Sequence, residues 1–168
     1  QLRRRYEEIE GATASAPAPP TGAPKVFLCH DSRDRDLVLA LEKRLHALGL
    51  DTWRDAQDLR GGDDWDRQIK YVLRKQVDYV LVCETPNMLN RGESYFHLEI
   101  TEALERQRRF PIGQRFLIPG TLEPSEGLAD LDHLHRQDLI SDDGLKRLAS
   151  LLQEDWQLRS NPPQRNLG

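Results

Sequence analysis

The sequence predicts an α/β fold, a flavodoxin-like, doubly wound sheet of five parallel strands with helices on both faces. Two observations predict it. Short apolar runs alternate along the chain with longer segments whose apolar residues recur at helical spacing. The apolar runs are nearly continuous, which is typical of parallel strands buried on both faces. No apolar run approaches the roughly 18 residues of a membrane-spanning helix, so we expect no membrane partner.

The first half of the folded region is predicted to hold two strands, two helices and a loop. Gly49 ends the first helix, and Asp63 or Asp64 is the expected N-cap of the second. The leucines at helical spacing in the first helix are Leu37, Leu41, Leu45 and Leu48. The elements are, in order, a strand over 25–29, a helix over 35–48, a strand over 51–55, a Gly-rich loop over 56–62 and the second helix, which carries Trp65, Ile69, Val72 and Leu73.

The second half is predicted to hold three strands and two helices. The Val-rich run at its start is typical of a central parallel strand. Ser94 is the expected N-cap of the helix that follows, and Pro119 with Gly120 is expected to stop the fourth strand. The elements are a strand over 77–83, a helix over 94–108, a strand over 115–118, a weaker strand over 133–139 and a helix over 142–155.

The chain divides into four parts by composition. Residues 1–11 are charged and predict the tail of an upstream helical region, and residues 12–24 are a linker rich in Pro and Ala. The folded domain is predicted over 25–157 and a flexible tail over 158–168. Because the chain begins at Gln1 rather than Met, we expect it to be part of a longer protein with an upstream sensing or oligomerising domain.

Charge and cysteine content exclude several classes of protein. Twenty-four basic and 28 acidic residues give a net charge of −4, whereas nucleic-acid binders normally show a basic excess or a basic face. Cys29 and Cys83 lie in apolar runs, which predicts buried free thiols and a reducing, cytoplasmic compartment. His133 and His135 are two residues apart, which suits one side of a strand better than a zinc site, so no metal is predicted.

In a doubly wound sheet, ligands bind beyond the carboxyl ends of the strands. The loops expected there are 30–34, 56–62, 84–92 and 119–131. Adjacent strand residues point to opposite faces, so Cys29 and His30 are not expected to form a nucleophilic pair. Asp31, Ser32 and Asp34 are expected to cap the following helix. The sequence contains no GxGxxG, GxxxxGK[ST] or GxSxG motif, which leaves a dinucleotide fingerprint, a P-loop and a hydrolase elbow unsupported.

An ordered set of segments resembles the Toll/interleukin-1 receptor (TIR) domain of the bacterial type. The segments are KVFLCHDSRD, LVLALEKRLHALGLDTWRD, DLRGGDDWDRQIKYVL, VDYVLVCETPN and SYFHLEITEAL, within roughly residues 25 to 155. No single segment is strongly specific, but their order is. The first resembles the family's first box, and Leu59–Gly62 with Trp65 resembles its BB loop and the helix that follows.

The resemblance implies an activity, because many TIR domains cleave NAD at the nicotinamide–ribose bond. The family's catalytic Glu lies on the helix after the third strand, four residues beyond an aromatic that is commonly Trp. Here these positions are Glu99 and Tyr95, and the Tyr is a departure from the pattern. Residues four apart share one helix face, so both can line one cleft. On spacing alone Glu99 also fits a plain surface position, because Glu102 and Glu105 lie on the same helix.

The resemblance also implies substrate-binding residues around Glu99. NAD is expected as the substrate, with no cofactor and no metal. Arg33 is a candidate for phosphate binding, and a neighbouring subunit is expected to complete the site near the end of the second strand. The predicted substrate-binding residues are Tyr95, His30, Asp31, Ser32, Arg33, Asp55 and Arg60.

The expected function is an NAD glycohydrolase that is active on self-association through TIR–TIR contacts and serves as the effector of a bacterial antiphage defence protein. The products would be nicotinamide and either ADP-ribose or a cyclic ADP-ribose. The alternatives are a non-catalytic TIR–TIR adaptor and a secreted virulence TIR that interferes with host signalling. A receiver-type phosphoacceptor domain shares the fold class, but Glu84 stands near the place of its Asp, and the expected Lys after the fourth strand is absent.

Overall fold

Five parallel strands form the central sheet of the described residues: β1 (Lys25–Cys29), β2 (Asp51–Arg54), β3 (Tyr79–Glu84), β4 (Leu117–Thr121) and β5 (Gln137–Asp138). Their order across the sheet is β2-β1-β3-β4-β5, and each strand is parallel to its neighbours. This is the flavodoxin-like order, so the predicted fold class is confirmed.

The structure is a computed structural model that describes residues 22–54, 71–90, 96–111 and 114–160. Within these ranges the side chains of Arg54, Arg74, Ser160 and residues 96–99 are not described. The predicted loop over 56–62, the start of the helix at Asp63 or Asp64 and the Ser94 cap lie outside the described residues. So do the predicted helical tail over 1–11 and most of the linker.

The described ranges contain four α-helices: α1 (Arg35–Ala47), α2 (Pro86–Leu89), α3 (Phe96–Arg109) and α4 (Asp142–Ser160). The first three lie between strands, and α4 follows β5. Short turns of 3-10 helix cover Ser32–Asp34 and Ala129–Leu131, and a π-helix covers Val72–Gln76. None of these described helices combines the length and the apolar character that crossing a membrane requires.

The strands bury both of their faces, as the continuous apolar runs predict. On one face Phe27, Val80 and Val82 pack with Ile100 and Ala103 of α3. On the other face the alternate residues of the same strands pack against α1 and α4. This cluster includes the strand residues Val26, Leu28, Tyr79 and Leu81 and the helix residues Leu41, Leu45, Leu145 and Leu148. Burial on two faces is the reason that these strands show no polar alternation.

In α1 the buried stripe begins at Val38 rather than at the predicted Leu37, and the predicted Leu48 lies just past the helix and is partly buried. Val38, Leu41 and Leu45 are buried, whereas Leu37 is 41% exposed. Gly49, with a φ of +86°, follows the end of the helix as predicted. Its left-handed conformation is one that residues with a Cβ adopt at a cost in free energy.

The prediction that Pro119 and Gly120 stop the fourth strand is wrong. Both residues lie inside β4, paired with Val82 and Cys83 of β3. Pairing of β4 with β5 begins only at Gly120, so Pro119 lies where the strand has a neighbour on one side. A Pro is tolerated in such a position because its missing N–H interrupts no second ladder.

The last strand and the last helix also differ in length from the predictions. β5 has two residues rather than the seven of 133–139, and His133 and His135 lie exposed before it rather than on one side of a strand. α4 continues from Asp155 to Ser160. Its extra turn is held by Arg159, whose guanidinium pairs with Asp155 at 3.0 Å.

Candidate functional site at the carboxyl edge

The chain reverses its direction of winding between β1 and β3, the two strands at the centre of the sheet. From β1 it crosses to β2 on one side, and from β3 it crosses to β4 on the other. The segments that follow β1 and β3 therefore leave in opposite directions and open a crevice at the carboxyl edge. Ligands of doubly wound sheets bind at a crevice of this kind, which makes it the candidate site.

His30 and Asp31 follow β1, and both are nearly buried. Nδ1 of the His30 ring lies 3.1 Å from the carbonyl oxygen of Leu28, so the ring is turned back toward its own strand. The Asp31 carboxylate accepts the backbone N–H of Arg33 at 2.9 Å and thereby caps the 3-10 turn that Ser32 begins. Asp31 therefore caps the short turn that leads into α1 rather than α1 itself, and its predicted capping role is confirmed only for this turn.

Arg33 links the segment after β1 to the segment after β3. Its Nε donates to Asp31 at 3.0 Å, and its Nη2 donates to the backbone oxygen of Asn87 at 2.6 Å. The hydrogen bond to Asp31 is the main cause that raises the pKa of Arg33, so the side chain is a fixed cation. The side chain is 45% exposed, and its predicted role in binding phosphate stays a prediction.

Asp34 does not cap α1 through its side chain, which contradicts the prediction for this residue. Its carboxylate instead accepts the hydroxyl of Thr85 at 2.5 Å and the side-chain amide of Asn87 at 2.8 Å. Asp34 is 3% exposed and Thr85 is fully buried. Asp34 accepts from Thr85 and Asn87 instead of capping α1 because a carboxylate that water does not reach needs donors, and these two side chains supply them.

Glu84, the last residue of β3, anchors the segment between β4 and β5. Its buried carboxylate pairs with Nε of Arg136 at 2.8 Å and also accepts the backbone N–H of Leu128. Arg136 donates in addition to the carbonyl of Leu128 at 2.7 Å and pairs with Asp132 at 2.9 Å. With both carboxylate oxygens engaged, Glu84 is not available as the phosphoacceptor of a receiver domain.

Gly127 completes this arrangement. It has a φ of +78°, and a Cβ at this position would collide with the guanidinium of Arg136. Sequence reasoning missed Arg136 and Gly127. An acidic residue at the end of a continuous apolar run does indicate that a partner is needed, because a buried carboxylate requires pairing. The partner lies 52 residues further along the chain, and nothing in the local sequence points to it.

The predicted catalytic residue lies in the first turn of α3. That helix crosses from the carboxyl end of β3 to the amino end of β4, so its first turn, with Glu99, lies at the carboxyl edge. The side chain of Glu99 is not described. Three of its predicted partners, Tyr95, Asp55 and Arg60, lie outside the described residues.

Cys29 and Cys83 are buried free thiols, as predicted. Burial is the main cause that raises the pKa of Cys83 well above its usual value, and the nearby carboxylates of Asp34 and Glu84 act in the same direction. A thiol held in its neutral form is a poor nucleophile. Across the described ranges, no three His, Cys, Asp or Glu side chains form a group that could hold a metal ion.

A cavity of about 590 Å³ lies at the other end of the molecule. Lys75 and Gln114, which precede β3 and β4, line it together with Arg106 and Phe110 near the end of α3. These positions belong to the amino edge of the sheet. The cavity therefore contains no residue of the predicted site.

The fold agrees with the comparison to known families. Residues 26–152 match the family model of the TIR domain, and the chain therefore belongs to this family. It is 28% identical over 151 residues to "Uncharacterized protein y4cD" of Sinorhizobium fredii. That match covers 88% of this chain but only 23% of the relative, so the chain spans less than a quarter of that protein's length.

Among solved structures, the chain is similar to the TIR domain of the Toll-related Receptor TRR-2 from the lower metazoan Hydra magnipapillata. The TM-score is 0.59, the sequence identity is 19%, and the match covers 79% of this chain and 97% of that one. At this identity the likeness shows the fold and carries no activity.

Proposed function

We propose that this TIR domain cleaves NAD at the nicotinamide–ribose bond, with Glu99 as the catalytic residue. The observation that carries the proposal is the position of Glu99. The chain belongs to the TIR family, and it has a Glu in the first turn of α3. That turn lies at the carboxyl edge, next to the crevice between β1 and β3. Ligands of doubly wound sheets bind at such a crevice.

One carboxylate can suffice for this chemistry. The nicotinamide ring of NAD is cationic and leaves as a neutral molecule, so no general acid is needed to protonate it. Ordinary glycosides, by contrast, are hydrolysed by a pair of carboxylates. In the proposed reaction Glu99 holds the ribose hydroxyls and stabilises the positive charge that develops on the ribose ring. Water or an internal nucleophile then attacks, which gives ADP-ribose or a cyclic product.

The proposal includes self-association. Asp55 and Arg60 follow β2, where a neighbouring TIR domain would complete the site. Activity would then follow clustering by an upstream domain, and NAD depletion would be the output of a bacterial antiphage defence protein. Charge and composition support a cytoplasmic setting without nucleic acid as a partner of this domain.

The first experiment measures nicotinamide release from NAD by the wild-type chain and by Glu99→Ala at high protein concentration. We expect loss of about 100-fold or more in the variant, as for removal of one electrostatic stabiliser of a transition state. Chromatography of the products separates the hydrolase from the cyclase.

Glu105→Ala is the matched control, since Glu105 is an exposed residue of the same helix that pairs with Arg108 at 3.2 Å. It should retain wild-type activity. If Glu99→Ala is as active as Glu105→Ala, Glu99 is not catalytic. If the wild type releases no nicotinamide even when clustered, the non-catalytic adaptor becomes the better function.

A further inference from the structure

Asp34 is a buried carboxylate whose partners lie on a different loop from its own. It ends the 3-10 turn after β1 and stands at the N-cap position of α1, yet it makes no side-chain cap hydrogen bond there. The positive end of a 13-residue helix nevertheless favours a negative charge at this position. Asp34 is therefore held as an acceptor that points away from its own helix.

Both donors to Asp34 come from the segment after β3. Thr85 donates its hydroxyl to one carboxylate oxygen at 2.5 Å, and Asn87 donates its side-chain amide to the other at 2.8 Å. The backbone oxygen of Asn87 also accepts from Arg33 at 2.6 Å. Three hydrogen bonds thus join the two segments that border the crevice. We call this set of residues, Arg33, Asp34, Thr85 and Asn87, the inter-loop clamp.

Thr85 has a second task within the clamp. While its hydroxyl donates to Asp34, the same oxygen accepts the backbone N–H of Met88 at 3.3 Å and caps α2. Met88 is buried in the core beneath. The orientation of α2 is therefore set by the packing of Met88 in the core and by the hydrogen bond from Thr85 to Asp34.

We propose that Asp34 is a positioning residue for the NAD cleavage proposed above, on which this inference rests. The chain runs from α2 into α3, whose first turn carries Glu99. The clamp fixes the start of that connection against the segment that carries His30, Asp31 and Ser32. Asp34 thereby sets the distance between Glu99 and the predicted substrate-binding residues without touching substrate.

The test compares Thr85→Val, which removes the hydroxyl and keeps the shape, with Thr85→Ser, which keeps the hydroxyl. We expect kcat to fall about tenfold or more in Thr85→Val and Asp34→Ala with KM nearly unchanged, because a small displacement of a catalytic group lowers the rate strongly. Thr85→Ser should restore most of kcat. Asp36→Asn is the control, because Asp36 is an exposed acidic residue in the first turn of α1, two positions after Asp34. This variant should leave kcat and KM unchanged.

An assay condition and one further measurement separate an effect on the position of Glu99 from an effect on the stability of the fold. Assays are run well below each variant's melting temperature, so that all molecules are folded. Amide hydrogen exchange over residues 85–90 reports the clamp directly, and it should speed up in Thr85→Val but not in Thr85→Ser. Unchanged exchange in Thr85→Val overturns the clamp, and faster exchange with a normal kcat overturns the positioning role.

Failure of the proposed function has a different signature. If the wild-type chain cleaves no NAD when clustered, the positioning role is overturned together with the activity. The exchange data in that case still show whether the clamp orders the segment after β3.

Discussion

At the scale of single residues, the end of β3 ties together three parts of the carboxyl edge. Glu84 holds the segment between β4 and β5 through Arg136, and the next residue, Thr85, holds the segment after β1 through Asp34. Buried carboxylates of this kind are expensive to desolvate and need every partner they have. The carboxylates of Glu84 and Asp34 thus hold neighbouring segments of this edge together.

Replacing Arg136 by Met should destabilise the fold by about 3 kcal/mol, because it leaves the carboxylate of Glu84 buried without its cation. Equilibrium unfolding in urea measures the loss. The carbonyl of Leu128 loses a donor in the same variant, which adds to the effect.

Arg108→Met provides the comparison for this prediction. Arg108 pairs with Glu105 on the exposed side of α3, at 3.2 Å, and such surface pairs contribute less than about 1 kcal/mol. Equal losses in Arg136→Met and Arg108→Met would show that the buried pair has no special weight in the fold.

At the scale of elements, the residues of β4 are explained by its close packing against Leu139 rather than by their intrinsic strand propensity. Its Gly120 lies against Leu139, and a Cβ on Gly120 would come within 2.5 Å of the Leu139 side chain. Leu139 is fully buried in the core on the α1 and α4 side. Gly120, which the sequence pattern indicates as a turn residue, is thus the residue whose missing side chain lets β4 pack against the chain after β5.

Gly120→Ala should therefore destabilise the protein by about 1–3 kcal/mol through overpacking. The double variant Gly120→Ala/Leu139→Ala should lose less than the sum of the two single variants, because the shorter side chain leaves room for the new methyl group. Thermal unfolding of the four proteins of the cycle measures this coupling. Strict additivity of the two losses would contradict the contact.

At the scale of the whole molecule, the crevice is bordered by elements that the chain brings together from distant positions. β1 and β3 lie side by side, and Glu99 lies in the first turn of α3, before that helix runs back toward the amino end of β4. β2, whose last residue precedes Asp55 and Arg60 in the sequence, lies on the far side of β1 from β3. This separation is consistent with the proposal that a second copy contributes to each site.

The specific activity of the wild-type chain should rise with protein concentration, in parallel with the fraction of self-associated molecules measured by sedimentation. Artificial clustering of dilute protein should give the same increase. Clustered Glu99→Ala should remain inactive, which shows that crowding alone does not release nicotinamide. A specific activity that is constant from dilute monomer to concentrated assembly would contradict the role of self-association.

The sequence predicted some parts of the carboxyl edge and not others, for a physical reason. The cap at Asp31 depends on a residue two positions away, and its capping role was predicted, although it caps the short turn before α1 rather than α1 itself. The partners of Asp34 and Glu84 lie about fifty residues away, and the roles of both residues were missed. Sequence patterns predict contacts between residues that are a few positions apart. The donors to a buried carboxylate can come from any part of the chain, and the fold decides which of them lie close to it.

The sequence by itself determined the fold class, because continuous apolar runs and helical periodicity are local consequences of burial on two faces. It also determined the position of Glu99 on the helix after the third strand. The tertiary structure alone decided that Pro119 and Gly120 remain inside a strand and that Asp34 turns away from its helix. These outcomes depend on which neighbours a residue meets across the sheet, and only the packed sheet brings those neighbours together.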